Sequence, residues 1–179
     1  RPEIADSALN QALVVRPGWE KVAMMRLSYL NQSDNRKQLT DYVETFLRNY
    51  PDSGELRITW GRLLAEWDEF EKALTQFTKL VEQDPENQEA VYAAAVLNME
   101  LGNDPMAIRM FVRYLELDPE HAQSRLFLAR IAAGQDRFDD ALSWLSAVTS
   151  AEHIFDAQLR AAFVLADAKR ADEALAHLI

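Results

Sequence analysis

Large apolar residues return to the same phase along this chain. Leu9, Val43, Phe77, Phe111, Leu145 and Leu178 follow one another at 34 residues, with a final step of 33. Four positions ahead of each stand Ala5, Leu39, Ala73, Ala107, Ala141 and Ala174. A separation of four puts both members of a pair on one face of an α-helix, so six helices are predicted to bury equivalent stripes. Proline keeps the same period: Pro17, Pro51, Pro85 and Pro119 each come just after an apolar helical segment. Proline has no N–H to donate and cannot continue a helix, so these residues mark helix ends. Between the stripes lies a second set of apolar segments with Gly61, Ala95, Ala129 and Ala162 in their interiors. The minimal side chains there allow a neighbouring helix to approach closely. The pattern predicts helices near 3–15, 20–32, 36–49, 54–67, 70–83, 88–101, 104–117, 122–134, 137–148, 155–168 and 171–178. Short turns join them, as at Gly102-Asn103-Asp104-Pro105, where glycine ends one helix and proline opens the next.

Composition supports an all-α reading. Of 179 residues, 49% are hydrophobic and 27% charged, with only five Gly and six Pro, which is enough apolar material for a buried core and too few breakers for a loop-rich fold. The net charge of −10 argues against a general affinity for nucleic acid or anionic lipid, both of which need clustered Lys and Arg. The absence of cysteine removes disulfides, thiolate metal sites and thiol nucleophiles together. The longest strongly apolar uncharged stretch, Ala90 to Met99, is about half of what a bilayer crossing requires, so direct membrane insertion is not expected.

The segment Trp60-Gly61…Leu64…Phe70…Ala73…Phe77…Asp84-Pro85 resembles the tetratricopeptide repeat, a 34-residue unit of two antiparallel helices, A and B. The next unit, Ala94-Ala95…Ala107…Phe111…Asp118-Pro119, is similar, and so is Leu128-Ala129…Ala132…Phe138…Ala141…Leu145, with His153 where proline is expected. The unit from Glu20 departs further, carrying Leu27 and Leu39 at small positions. The resemblance implies a right-handed α-solenoid of antiparallel hairpins. It would form a single array over 1–179: a lone B helix at 3–15, then repeats at about 20–53, 54–87, 88–121, 122–154 and 155–179. The chain opens and closes on a B helix, and Leu175, Leu178 and Ile179 lack a polar capping helix, which suggests a piece of a longer repeat protein or self-association through uncapped ends.

No catalytic constellation emerges, and no enzyme activity, cofactor or metal is expected. His121, His153 and His177 lie at repeat junctions or on an outer face, share no metal or triad spacing, and read as solvated surface residues. The acidic run Glu66, Asp68, Glu69 and Glu71 lacks the glycine-centred loop of a calcium site and suits a helix N-terminus. Gly-rich phosphate loops and nucleophile elbows do not occur.

By resemblance, the A helices line a concave groove in which partners lie. The fifth position of each unit reads Met24, Ile58, Tyr92, Leu126 and Leu159. The ninth reads Ser28, Arg62, Val96, Arg130 and Phe163, and the twelfth Asn31, Ala65, Met99, Ala133 and Ala166. The expected trough is mainly apolar, with two arginines inside and Glu55, Glu89 and Asp156 on its rim, suited to an amphipathic helix or an apolar peptide with basic flanks. Alternatively the fifth-position residues fill the seam between successive A helices; Tyr92 is the strongest candidate for a real contact. Repeats that hold acidic chaperone tails carry Lys and Asn where Met24 and Ser28 stand, so that mode is set aside.

The reading is a protein-binding scaffold for a protein or peptide partner. Alternatives are a regulatory or substrate-selecting arm of a larger enzyme or protease complex, and a self-assembly module. The string from Arg16-Pro17-Gly18-Trp19 through Asp156-Ala157-Gln158-Leu159-Arg160 also looks like the middle of long bacterial cell-envelope repeat lipoproteins that act as protease adaptors. That likeness would place the chain in the periplasm or at the outer membrane, through a lipid anchor outside these residues.

Overall fold

A computed structural model of the chain describes residues 2–32 and 35–170, with side chains from residue 6 onward. The described residues form ten α-helices and no strand. They fall into two compact units, Arg1–Gln83 and Asp84–Ile179. The helix expected near 171–178, with Ala174, Leu175, His177 and Leu178, lies outside the described residues.

The first unit holds α1 (Pro2–Val15), α2 (Glu20–Gln32), α3 (Arg36–Asn49), α4 (Gly54–Glu66) and α5 (Phe70–Gln83). Each helix packs on the next, and α4 also meets α2. Gly61 is the point of closest approach between α4 and α5: a Cβ there would sit 2.8 and 2.9 Å from the ring of Phe77, which is itself buried. Trp60, Leu64, Ala73 and Leu80 join Phe77 in the core, and Leu27 and Leu39 fill the corresponding places one hairpin earlier. Arg57 is buried as well. Its guanidinium donates to Gln76 Oε1 (3.0 Å) and to the carbonyl of Pro51 (2.8 Å), tying the turn before α4 to α5.

The second unit holds α6 (Gln88–Glu100), α7 (Asp104–Leu117), α8 (Ala122–Gly134), α9 (Phe138–Ser146) and α10 (Ile154–Asp167), again packed in sequence. Ala95, Ala107 and Phe111 are buried with Leu128 and Ile131, and a second cluster gathers Leu126, Ala129, Ala141, Leu145, Ala157 and Ala161. Trp144, half-buried, packs against both clusters.

One turn recurs in both units. Asp68, Gly102, Asp136 and Lys169, which follow α4, α6, α8 and α10, all have φ between 57° and 70°. The residue after each donates back five positions to close the helix end: Glu69 N to Leu64 O, Asn103 N to Asn98 O, Arg137 N to Ala132 O and Arg170 N to Leu165 O, at 2.8–2.9 Å. This is the Schellman arrangement, which satisfies carbonyls that have no partner inside the helix. Glycine fills the left-handed position only at Gly102.

Candidate interaction surface

In the second unit, α6, α8 and α10 carry the positions expected to face a partner. The fifth positions divide. Leu126 is buried, 2% exposed, within the cluster of α8, α9 and α10. It is a core residue and is not available to a partner, which corrects its assignment to the groove. Tyr92 is half-buried, with its ring against Phe111 (6.1 Å between centroids), Tyr114 (5.1 Å) and His121 (5.1 Å). Burial first, and the neighbouring Tyr114 second, push its phenol pKa up. Leu159 is exposed.

The ninth and twelfth positions are more open. Phe163 is 63% exposed, and Arg130 is exposed beside it across a cavity of about 180 Å³ that Ala129, Ala133, Arg160 and Val164 also line. The Arg130 guanidinium lies against the Met99 sulfur (2.7 Å) and 5.4 Å from the centre of the Phe127 ring. No carboxylate among the described residues forms an ion pair with it. Met99 and Val96 are half-buried. On the rim, Asp156 is held by Arg160 Nε through both oxygens (3.0 and 2.9 Å), and Glu89 is half-buried. Phe155, 75% exposed, extends the line of Leu159 and Phe163 at intervals of four along α10.

In the first unit the same positions give Met24 and Ile58, half-buried, and Arg62, exposed. On its B-helix side a pocket of about 520 Å³ lies between α1 and α3, walled by Leu13, Tyr42, Phe46 and Tyr50. Arg26 sits there over the Tyr42 ring (4.5 Å) and pairs with Asp6 (2.9 Å). The Tyr42 hydroxyl donates to the carbonyl of Ala23 (3.3 Å), and burial pushes its pKa up to about 12 against the opposing pull of Arg26.

The histidines expected to be solvated are not so at His121. Its ring stands before α8, half-buried, edge-on to Tyr92 and to Tyr114 (4.8 Å), and Nδ1 accepts the Ser124 amide at 3.2 Å. The sequence signal was its place one residue before a helix, the cap position. Among the described residues no group of three His, Asp or Glu is arranged to hold a metal, and no helix is long and apolar enough to cross a membrane.

Two family models of the tetratricopeptide repeat match, over residues 58–108 and 105–153, and together they span more than half of the chain. The chain belongs to the tetratricopeptide repeat family. Its fold is an all-α solenoid of helical hairpins, and solved structures of tetratricopeptide repeat proteins share it. MamA superposes with a TM-score of 0.78 at 16% identity, over 89% of this chain and 87% of that one. YrrB, described as a TPR protein with an unusual peptide-binding site, gives 0.76 at 19% identity over 96% and 89%. A stretch of 97 residues is 26% identical to the DnaJ homolog subfamily C member 7 homolog of Dictyostelium discoideum. That stretch is 54% of this chain and 18% of that protein, so the chain spans about a fifth of that relative's length. Tetratricopeptide repeat proteins are typically scaffolds for protein–protein interaction and not enzymes, and this fold supports the binding of a protein partner.

Proposed function

We propose that the chain is a scaffold that holds a peptide or helix of a partner protein along the open face of α8 and α10. Phe163 would supply the apolar contact and Arg130 would pair with a carboxylate of the partner. The observation that carries this is the exposed Phe163 beside Arg130, a cation that forms no direct ion pair with a carboxylate among the described residues, although Asp167 lines the same cavity. Aromatic and arginine side chains meeting at a cavity are the residues that most often dominate binding energy. The rim acids weigh less than the sequence alone suggests, because Asp156 is engaged by Arg160. The favoured ligand is therefore an apolar segment with an acidic residue, in place of one with basic flanks. YrrB makes a peptide a natural class of ligand for such a fold.

Peptides selected from a random display library on the intact chain test this, with affinity read by fluorescence polarisation. Selected sequences should pair a large apolar residue with Asp or Glu. Phe163→Ala should weaken them by about tenfold or more, and Arg130→Glu should abolish the preference for acid, both with helical content unchanged by circular dichroism. Peptides that bind both variants as well as the parent chain would place the contact elsewhere.

A further inference from the structure

The position before each A helix reads Trp19, Ser53, Asn87, His121 and His153. At Asn87 the side-chain oxygen accepts the Ala90 amide at 2.9 Å. One repeat later His121 does the same work with a ring nitrogen, accepting the Ser124 amide at 3.2 Å. A backbone N–H can only donate, so Nδ1 must be bare, and the Ser124 hydroxyl at 2.8 Å donates to it as well. The proton of the neutral ring therefore sits on Nε2. Ser124 is fully buried, so an amide that loses this acceptor has no water to turn to. The ring also joins three helices, because Tyr92 on α6 and Tyr114 on α7 both meet it edge-on.

We propose that the Tyr92–Tyr114–His121 junction is an acid-sensitive latch, in which neutral His121 caps α8 and fastens it to α6 and α7, and protonation releases it. A proton on Nδ1 replaces an acceptor with a donor facing the Ser124 amide. It also puts a cation at the positive end of a helix dipole. The charged groups around the ring do not reverse this. Burial disfavours the cation most strongly; Asp118, in the turn after α7, favours it, and His153, before α10, opposes it. Glu120, the preceding residue, is occupied by the Thr149 hydroxyl (3.2 Å). On α8, Arg125 donates to the carbonyl of Pro119, and on α6, Glu89 lies one turn before Tyr92. The net result is a histidine pKa below its ordinary value. The cap is therefore fully in place above about pH 6.5, the value of a free histidine, and is lost as the pH falls through the lowered value.

The test is amide hydrogen exchange at the start of α8 in the whole chain, at pH 7.5 and 5.5, corrected for the intrinsic pH dependence of exchange. Protection of the Ser124 amide should fall on the order of tenfold on acidification, the size of a lost helix cap. His121→Asn restores the acceptor used one repeat earlier and cannot titrate, so its protection should not change with pH. His121→Ala should exchange fast at both. An equal fall in the parent chain and His121→Asn would overturn the latch. If His121→Asn does not fold, nitrogen chemical shifts of the wild-type ring decide: a proton on Nδ1 at pH 7.5 also overturns it.

Discussion

Two glycines show how one substitution can fail for opposite reasons. At Gly61 the obstacle is the neighbour, since a Cβ would lie 2.8 Å from the ring of Phe77, and Phe77 is 2% exposed with nowhere to move. Alanine gains about 1 kcal/mol in helix propensity over glycine, but overpacking a core costs about 1–3 kcal/mol. Gly61→Ala should thus lose about 1 kcal/mol net, and Phe77→Leu in the same chain should recover part of it, a coupling that urea denaturation of the single and double variants measures. At Gly102 nothing lies within 4 Å of a would-be Cβ, and the obstacle is φ of +70°. Gly102→Ala should cost about 1 kcal/mol, with no neighbour able to relieve it. The first role was legible in the sequence, because a small residue recurs there at the repeat period. The left-handed turns at Asp68, Asp136 and Lys169 were not, since aspartate tolerates that conformation without requiring it and lysine gives no sign of it.

The two kinds of helix differ in how much they reveal. On α7 the buried residues are Ala107 and Phe111, a single stripe four residues apart, and periodicity finds it directly. On α8 they are Ala122, Ser124, Leu126, Leu128, Ala129, Ile131 and Ala132, which lie around most of the helix. Where apolar positions are buried on nearly every side, spacing places the helix but cannot say which of them faces outward. That is why the helix boundaries were legible to within a residue or two while Leu126 was placed in the groove. His121 escaped for a related reason: the cap position was visible, but the burial of its ring comes from Tyr92 and Tyr114, which lie on two other helices. Leu126→Ala should cost about 2–5 kcal/mol in chemical denaturation, and Phe163→Ala no more than about 0.5 kcal/mol. Equal losses would mean that Phe163 is packed in solution and is not a contact surface. The contrast also warns that lost binding in a Leu126 variant would report unfolding.

For the molecule as a whole, the repeat phase runs unbroken through Gln83 and Asp84, so the sequence carries no mark of the division into two compact units and reads as one array over 1–179. Charge adds a constraint that the phase does not contain. Most ion pairs among the described residues join side chains three or four apart, within one helix or across its start: Lys37 with Asp41, Glu69 with Lys72, Arg113 with Glu116, Arg137 with Asp140 and Asp156 with Arg160. All are substantially exposed, and such pairs contribute little. Arg26 with Asp6 and Arg170 with Asp139 reach further along the chain, but pairing within the chain leaves the net charge at −10. Within each unit hairpin is held to hairpin by apolar packing, while the excess carboxylates of the chain repel one another over a distance that salt controls. Raising the ionic strength from about 0.01 M to about 0.15 M shortens the screening length from about 30 Å to about 8 Å. The repulsion then weakens more than the short pairs do, and the Tm of the intact chain should rise. Melting curves followed by circular dichroism at the two salt concentrations check it. A Tm that falls with salt would mean that attraction between the paired charges outweighs the repulsion of the surplus.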